Sequence, residues 1–466
     1  MTLETDYLVI GAGAMGMAFA DTIIAESNAT VTIVDRRHRP GGHWNDAYSF
    51  VTLHQPSSFY GVGSLELSKG RFDERGVNAG LAELATGPEI LAYYHEVMQQ
   101  HLLPTGRVTY LPMHDWDDEA GAATSLLSGE KTEIIARRIV DATFLKTTVP
   151  STHTPAYAVA DGATVKPINA LPSTTKPADG YVVIGAGKTG MDAIVWLLQH
   201  GAEADSIRWI TPRDSWMHNR RTTQPDERFF VESIGAIANQ LEAVGRSKSV
   251  DEVFETLEQD GAFLRIDQSV RPTMYHGATV SEAEVDLMRQ VLPGIVRLGR
   301  VKRVEHDRVV LEHGDIPTTP DTLHIDCTAR AVGNAEIAPV FDGKRITLQP
   351  VRSLQPVFSA SFIAHVDASD RDEATKARLC QVVPLPNEPV DWLRAMAAGT
   401  MNQMIWGRDK ELRDWLLNSR LDGFARTIRA VGPNDHERQA ILDRMRAAAP
   451  QAMANLPILL NEVAAA

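Results

Sequence analysis

The stretch Tyr7-Leu8-Val9-Ile10-Gly11-Ala12-Gly13-Ala14-Met15-Gly16 decides the fold of this chain. An apolar run typical of a buried parallel strand leads into three glycines spaced as G-x-G-x-x-G, and an apolar helical pattern follows. This order predicts a strand, a tight turn and a helix N-terminus, where backbone N–H groups and the helix dipole attract a pyrophosphate. We therefore expect a dinucleotide-binding α/β unit here.

The same pattern occurs a second time further along the chain. The apolar run Tyr181 to Ile184 precedes Gly185-Ala186-Gly187-Lys188-Thr189-Gly190. One G-x-G-x-x-G pattern is a weak signal, but two copies with matching strands and helices are a strong one. The sequence therefore predicts an α/β fold with two Rossmann-like domains and two bound dinucleotides.

The residues after the next strand of each copy indicate which dinucleotide binds. The strand Val31 to Val34 ends in Asp35, where a carboxylate can accept hydrogen bonds from ribose hydroxyls, so the first site favours FAD or NAD. The strand Ile207 to Ile210 ends in Thr211-Pro212-Arg213, without a carboxylate. Four arginines are candidates to hold a 2′-phosphate, namely Arg213, Arg208, Arg220 and Arg221. NADPH is therefore preferred over NADH, and the alternative is that these arginines are solvated surface groups.

Repeated short strands indicate a discontinuous domain arrangement. Arg138 to Thr143 and His324 to Ala329 have the same character, and each follows one glycine-rich turn at a similar distance. We expect an FAD domain at 1–150 and 325–466, a linker at 151–180, and an NAD(P)H domain at 181–324. Within the latter, 226–292 reads as a mostly helical insertion with Ser249 as a helix N-cap. This insertion is expected to be a lid or a substrate-facing element, or alternatively a homodimer contact, and the chain is again helical from Pro389 onward.

Composition excludes several classes of function. The chain has 466 residues and a net charge of −14, which argues against nucleic acid or an anionic membrane as the main partner. Its two cysteines, Cys327 and Cys380, have no metal-ligand spacing, so we expect no disulfide, no zinc site and a cytoplasmic location. The apolar N-terminus follows Glu4 and Asp6 rather than basic residues, unlike a signal peptide, and no run reaches transmembrane length.

These motifs resemble those of the two-dinucleotide-binding flavoproteins, most closely the flavin-containing, N-hydroxylating and Baeyer-Villiger monooxygenases (class B). The first turn through Asp35 is similar to their FAD fingerprint, and Gly41-Gly42-His43-Trp44 is similar to their GGxW stretch over the flavin. Tyr48 to Pro56 resembles the segment that reaches the isoalloxazine ring. The second turn through Asp192 is similar to their NADPH turn. The resemblance covers residues 1–365, most clearly at these motifs.

The resemblance implies an NADPH-dependent FAD monooxygenase that oxidises a small organic substrate with molecular oxygen. Two departures keep alternatives open. Val165 to Pro172 lacks the histidine of the family's FxGxxxHxxxF signature, and His54 or Gln55 stands where the family often has asparagine. The alternatives are a flavin-dependent dehydrogenase or reductase without oxygen insertion, and a non-catalytic dinucleotide sensor. The disulfide reductase branch is disfavoured because residues 41–60 contain no cysteine.

The candidate site residues follow from the turns and from the resemblance. His54 and Gln55 are the candidate catalytic residues, as hydrogen-bond donors beside the flavin. The expected contacts of FAD are Gly11, Gly13, Ala14, Met15, Gly16, Asp35, Arg36, Gly42, His43, Trp44, Gln55 and Thr143. Those of NADPH are Gly185, Gly187, Lys188, Thr189, Gly190 and Arg213. Trp44 and His54 also have alternative interpretations, as a core aromatic and as a structural histidine.

Overall fold

In the computed structural model, which describes residues 2–175, 179–333 and 336–465, the chain forms two α/β bodies. The first body begins with these elements: β1 (Thr2–Ile10), α1 (Ala14–Glu26), β2 (Val31–Asp35), α2 (Gly87–Glu96), β3 (Val108–Pro112), β4 (His114–Asp117), β5 (Ala122–Ser125) and β6 (Lys131–Asp141). Strands β6, β1, β2 and β3 lie side by side in parallel, and β5 adds the β4–β5 hairpin to β6. Strand β2 is parallel to β1 because α1 forms the crossover between them, whereas the chain reaches β6 through the antiparallel β4–β5 hairpin.

The second body contains the next group of elements. Its strands are β7 (Ala158–Val159), β8 (Val165–Pro167), β9 (Tyr181–Ile184), β10 (Ile207–Ile210), β11 (Ser215–Asn219), β12 (Phe263–Leu264), β13 (Met274–Val280), β14 (Ile295–Val296), β15 (Val301–Val304), β16 (Arg308–Leu311), β17 (Gly314–Pro317) and β18 (Leu323–Asp326). Its helices are α3 (Lys188–Gln199), α4 (Phe230–Arg246), α5 (Val250–Gln259) and α6 (Glu282–Arg289). The central sheet is parallel in the order β14-β10-β9-β18-β8.

The chain then returns to the first body before it ends in helices. The elements are β19 (Phe341–Asp342), β20 (Arg345–Thr347), α7 (Pro356–Ala368), α8 (Glu373–Leu379), α9 (Pro389–Trp406), α10 (Lys410–Asn418), α11 (Ala425–Arg429) and α12 (His436–Ala465). Strand β20 extends the first sheet beside β6, and α7 packs on α1 with side chains of the same core. The two sequence-distant parts therefore share one hydrophobic core.

The structure differs from the expected boundaries in three places. The expected linker 151–180 contains β7 and β8, which pair with strands of the second body. Residues 323–326 form β18 between β9 and β8, so the expected first domain does not yet resume at 325. Helix α12 packs on α4 of the second body, because Leu456 and Leu459 fill its core. Residues 1, 176–178, 334–335 and 466 of the expected segments lie outside the described residues.

The insertion expected at 226–292 is less helical than its sequence pattern indicates. Helices α4, α5 and α6 are present, and the Ser249 hydroxyl accepts the Glu252 N–H at 3.2 Å as the N-cap of α5. However, β12 and β13 flank β11 in a small sheet. Phe263 and Tyr275 from these strands pack against Phe254. The burial of these aromatic side chains, rather than helical periodicity, therefore explains why the two segments form strands.

Within the described residues, no helix combines the length and apolarity needed to cross a membrane. Cys327 and Cys380 are both buried free thiols.

Candidate functional site

The first glycine-rich turn has the backbone that its sequence predicts. Gly11 has a φ of 101°, in the left-handed region that favours glycine. A methyl group on Gly16 would lie 2.0 Å from the Gly11 carbonyl oxygen, so only glycine fits where α1 meets the strand. Ala14 and Met15 form the first turn of α1. The N-terminus of α1 therefore presents its free backbone N–H groups at this turn.

Asp35 ends β2 beside this turn and is 5% exposed. Its carboxylate accepts the Ala12 N–H at 2.6 Å and the Arg37 N–H at 2.7 Å. Burial raises the pKa of Asp35 despite these two hydrogen bonds. Arg36 instead points into solvent, where its guanidinium lies 3.4 Å from Asp115. A buried carboxylate at the end of β2 fits the ribose of an adenine dinucleotide.

The Gly41-Gly42 segment lies directly against the first turn. The Gly41 N–H donates to the Ala12 carbonyl at 2.8 Å. A methyl group on Gly42 would come within 2.8 Å of the Gly13 Cα, so this contact also requires glycine. Thr143 also lies against the turn, because its methyl carbon would be 3.0 Å from a side chain on Gly11.

His43 and Trp44 are packed into the protein beside this segment. Burial lowers the pKa of His43 to about 4. The Trp44 indole N–H donates to the Tyr60 hydroxyl at 2.8 Å, and its ring packs against the core of the first body. Coverage of the flavin by Trp44 stays a prediction.

The second turn repeats the geometry of the first. Gly187 has φ −77° and ψ −179°, and its counterpart Gly13 has φ −78° and ψ −176°. A methyl group on Gly190 would lie 2.1 Å from the Gly185 oxygen, as in the first turn. A side chain on Gly187 would meet no described atom within 4 Å, so space for a ligand is open there. Lys188 and Thr189 begin α3.

The strand that follows the second turn ends in a hydroxyl instead of a carboxylate. Ile184 pairs with Ile210 as Ile10 pairs with Val34, so Thr211 occupies the position of Asp35. Thr211 is 5% exposed, and its hydroxyl has no hydrogen-bond partner in the described part of the chain. An orphaned buried hydroxyl at this position fits the adenosine ribose of a nicotinamide dinucleotide.

The four candidate arginines for the 2′-phosphate do not lie together. Arg213 donates to the Asn387 side chain at 3.0 Å, and Arg208 donates to the Pro317 carbonyl at 2.8 Å. Arg221 lies 3.8 Å from Glu232. Arg220 is 1% exposed and belongs to a buried cluster, which excludes the interpretation of Arg220 as a surface group.

This buried cluster of charged side chains lies where the second turn meets the first body. The Lys188 ammonium forms an ion pair with Asp192 and lies 3.5 Å from Glu284. The Arg220 guanidinium lies 2.8 Å from the other Glu284 oxygen. Burial alone raises the pKa of Glu284, but the Lys188 and Arg220 charges outweigh it and lower the pKa to about 2. Two anions therefore balance two cations, and the Arg220–Glu284 pair lies in the interior, where an unpaired charge is costly.

Arg220 and Tyr48 connect this charge cluster to the first body. Arg220 donates to the His54 carbonyl at 3.0 Å, to the Asn78 side chain at 3.0 Å and to the Thr279 carbonyl at 3.2 Å. The Tyr48 hydroxyl donates to Asp192 at 2.6 Å. The segment between Tyr48 and His54 is therefore bonded at both ends to the second body.

His54 is a neutral hydrogen-bond donor in this setting. Burial, reinforced by the Lys188 and Arg220 charges, lowers the pKa of His54 to about 3. Its Nδ1 accepts the Thr279 backbone N–H at 3.2 Å, so we assign the ring proton to Nε2. The half-buried Gln55 amide makes no hydrogen bond with the described residues.

Sequence reasoning did not identify Tyr48, Asp192, Arg220 and Glu284 as one arrangement. Glu284 carries one local signal, since Ser281 and Glu284 form the capping box of α6. That signal explains only a helix start. The role of Glu284 as partner of two buried cations depends on tertiary contacts.

Comparisons with known proteins place this arrangement in context. A family model described as an NAD(P)-binding Rossmann-like domain matches residues 9–53. The uncharacterized protein Rv2000 of Mycobacterium tuberculosis is 47% identical over 444 residues, which cover 95% of this chain and 82% of that protein. The chain belongs to the Rv2000 family. The uncharacterized protein Mb2023 of Mycobacterium bovis matches to the same extent.

One solved structure supports the overall architecture of this Rv2000 family member. The polycyclic ketone monooxygenase of the thermophilic fungus Thermothelomyces thermophila superimposes with a TM-score of 0.52 and 12% sequence identity. The match covers 99% of this chain and 88% of the fungal one. The fold is class B flavoprotein monooxygenase-like, which confirms the predicted α/β fold class and the resemblance.

Proposed function

We propose that this protein is an NADPH-dependent FAD monooxygenase that oxidises a small organic molecule with molecular oxygen. The observation that carries the proposal is the bonded contact between the flavin-facing segment and the second turn. Tyr48 donates to Asp192, and Arg220 donates to the His54 carbonyl, so the segment proposed to face the flavin is held against the second body. A hydride donor and its acceptor need such proximity.

The first site is proposed to hold FAD through its backbone and one carboxylate. The N–H groups at the start of α1 would bind the pyrophosphate and Asp35 would bind the ribose, while Gly41-Gly42 packs against the turn. When bound, the flavin supplies hydride acceptance and the reduction of oxygen, which no side chain can supply. The second site is proposed to hold NADPH at Gly187, with Thr211 toward the ribose.

The protein's own contribution is to exclude water and to hold donors in fixed positions. The balanced pairs of Lys188 and Arg220 with Asp192 and Glu284 fill the junction without a free charge. His54 remains neutral through the physiological pH range because its pKa is about 3, and it offers an Nε2 proton. The unbonded Gln55 amide is a second donor. Fixed donors in a dry site stabilise developing negative charge on oxygen better than water does.

Two alanine variants test cofactor binding without disturbing the empty protein. A methyl group on Gly13 would lie 3.5 Å from the Gly42 Cα, which is an ordinary contact, and one on Gly187 would meet no described atom. Both residues have a negative φ that alanine adopts without strain. Each methyl group would instead occupy the position of a pyrophosphate.

We expect Gly13→Ala to purify without flavin, and Gly187→Ala to retain flavin that NADPH no longer reduces under anaerobic conditions. Circular dichroism of both variants should match the parent protein. Retention of a full complement of FAD by Gly13→Ala would contradict the first site assignment.

The oxygen reaction distinguishes a monooxygenase from a reductase. NADPH is added without oxygen, oxygen is then admitted, and hydrogen peroxide is measured for each NADPH across a panel of small ketones, amines and sulfides. A substrate should lower the peroxide yield and appear as an oxygenated product containing ¹⁸O from labelled oxygen. Flavin reduction followed only by peroxide release or by electron transfer to artificial acceptors would instead identify a reductase.

A further inference from the structure

Helix α9 has its two ends in the cores of different bodies. Trp392, in its first turn, packs edge-on against Phe254 and Phe263 of the second body, with ring centroids 5.6 and 5.5 Å away. Trp406, its last residue, is fully buried in the first body, where its ring lies 4.3 Å from that of Phe362 on α7. The helix has 18 residues, so it spans about 27 Å at the rise of an α-helix. One continuous helix is therefore anchored in both cores.

Hydrogen bonds hold both ends of α9 as well. Near its C-terminus, the buried Asn402 side chain donates to the Val351 carbonyl at 2.8 Å and to the Gln381 carbonyl at 2.7 Å. At the other end, the Tyr275 N–H of β13 donates to the Asn387 carbonyl at 3.1 Å, two residues before the helix begins. Tilting α9 in either body would therefore break hydrogen bonds as well as aromatic contacts.

A loop of the first body makes a second attachment, independent of α9. Residues 71–83, which we call the strap, fold back on themselves so that Phe72 pairs with Ala82. The Phe72 ring stacks on Phe229 of the second body, with ring centroids 6.1 Å apart and planes 8° from parallel. The Ala82 N–H donates at 2.8 Å to the side chain of Gln224, which is fully buried. The second body is therefore held through two segments that are far apart in the sequence.

We infer that α9 and the strap hold the two bodies as one rigid unit, so that the second body does not rotate relative to the first. A rotation would have to withdraw one end of α9 from a packed core and separate the strap from the second body in the same event. Packed cores do not deform continuously, so such a step is unfavourable. The rigidity is independent of the proposed function, but its consequence for NADPH rests on that function: the nicotinamide has to reach the flavin by movement of the coenzyme itself.

Distances between spin labels on the two bodies test this inference. Leu127→Cys in the first body and Lys302→Cys in the second place labels at exposed positions, whereas the two native cysteines, Cys327 and Cys380, are buried. Pulsed electron spin resonance of the full chain is recorded with and without NADP⁺. We expect one narrow distance distribution, with a maximum that NADP⁺ shifts by less than about 2 Å. Two distances in the free protein, or a larger shift with NADP⁺, would overturn the inference.

The middle of α9 offers a matched pair of variants. A side chain on Gly399 would meet no described atom within 4 Å, so a substitution there acts on the backbone of α9 alone. Gly399→Ala preserves the helix and should leave the distance distribution unchanged. Gly399→Pro removes a backbone N–H and clashes with the preceding turn, so it should kink α9 between its anchored ends and broaden the distribution. Combination with Phe72→Ala, which removes the stack on Phe229, should broaden it further.

A parental distribution in the double variant, with circular dichroism showing a folded protein, would overturn the assignment to α9 and the strap. The measurement on the parent chain decides the rigidity even where Gly399→Pro does not fold. Titration calorimetry with NADP⁺ separates this inference from the proposed function. Absence of NADP⁺ binding would reject the proposed function, whereas one narrow distribution in the free protein would retain the rigid unit.

Discussion

Replacement of Glu284 by glutamine tests the buried charge cluster quantitatively. The glutamine amide has nearly the same shape, but it leaves Lys188 and Arg220 with one counter-charge instead of two. The pKa of Glu284 is lowered from 4.5 to about 2, which corresponds to roughly 3 kcal/mol of stabilisation at neutral pH. Because Glu284 is 6% exposed, solvent screens this interaction little. We expect Glu284→Gln to lower the free energy of unfolding by about 3 kcal/mol at pH 7.

The pH dependence of this loss has a defined sign. The folded-state pKa lies below the unfolded-state value, so the contribution is complete above pH 4.5 and disappears as the pH falls toward 2. The difference between parent and variant should therefore be constant from pH 7 to pH 5. Less than half of it, about 1.4 kcal/mol, should remain at pH 3.

Urea unfolding followed by tryptophan fluorescence at pH 7, 5, 4 and 3 measures both effects. Glu282→Gln on the same helix is the control, because Glu282 is exposed and accepts a hydrogen bond from Asn219 that an amide oxygen can also accept. It should change the free energy of unfolding by less than about 0.5 kcal/mol at every pH. Equal effects of the two variants, or a Glu284→Gln loss that does not shrink with acid, would refute the reasoning.

Four further variants address the proposed chemistry. His54→Ala and Gln55→Ala should each leave the stopped-flow rate of flavin reduction unchanged and increase the hydrogen peroxide released per NADPH; normal coupling in both would make these residues structural. Tyr48→Phe removes the donor to Asp192, so it should destabilise the protein by about 1 kcal/mol and slow the reduction of flavin by NADPH. An unchanged reduction rate would show that this hydrogen bond does not affect hydride transfer. Asp35→Asn should weaken FAD binding by on the order of tenfold in a fluorescence titration, and parental affinity would exclude contact with the ribose.

The two glycine-rich turns were predictable because their determinants are local. A strand, three glycines and a helix lie within ten residues, and the required backbone at Gly11 and Gly185 follows from that short sequence. Asp35 was predictable for the same reason, since the strand that carries it pairs directly with β1.

The rest of the candidate site depends on contacts between distant residues. Arg220 looks like a surface arginine in sequence, yet it is bonded to His54, Asn78 and Glu284 from three separate segments. Strand β8 was missed because three residues with a terminal proline carry little periodic signal, and only pairing with β18 makes them a strand.

The packing of α12 on α4 affects the order in which this protein can fold during synthesis. The core around Phe254 and Phe263 includes Ala452, Leu456 and Leu459, which the ribosome produces nearly 200 residues later. The aromatic faces of that core therefore stay exposed to water until α12 has left the ribosomal tunnel. The first glycine-rich turn, by contrast, needs only β1, α1 and β2 and can form early. Burial of the aromatic side chains around Phe254 and Phe263 is accordingly a late step, and it depends on residues from the distant helix α12.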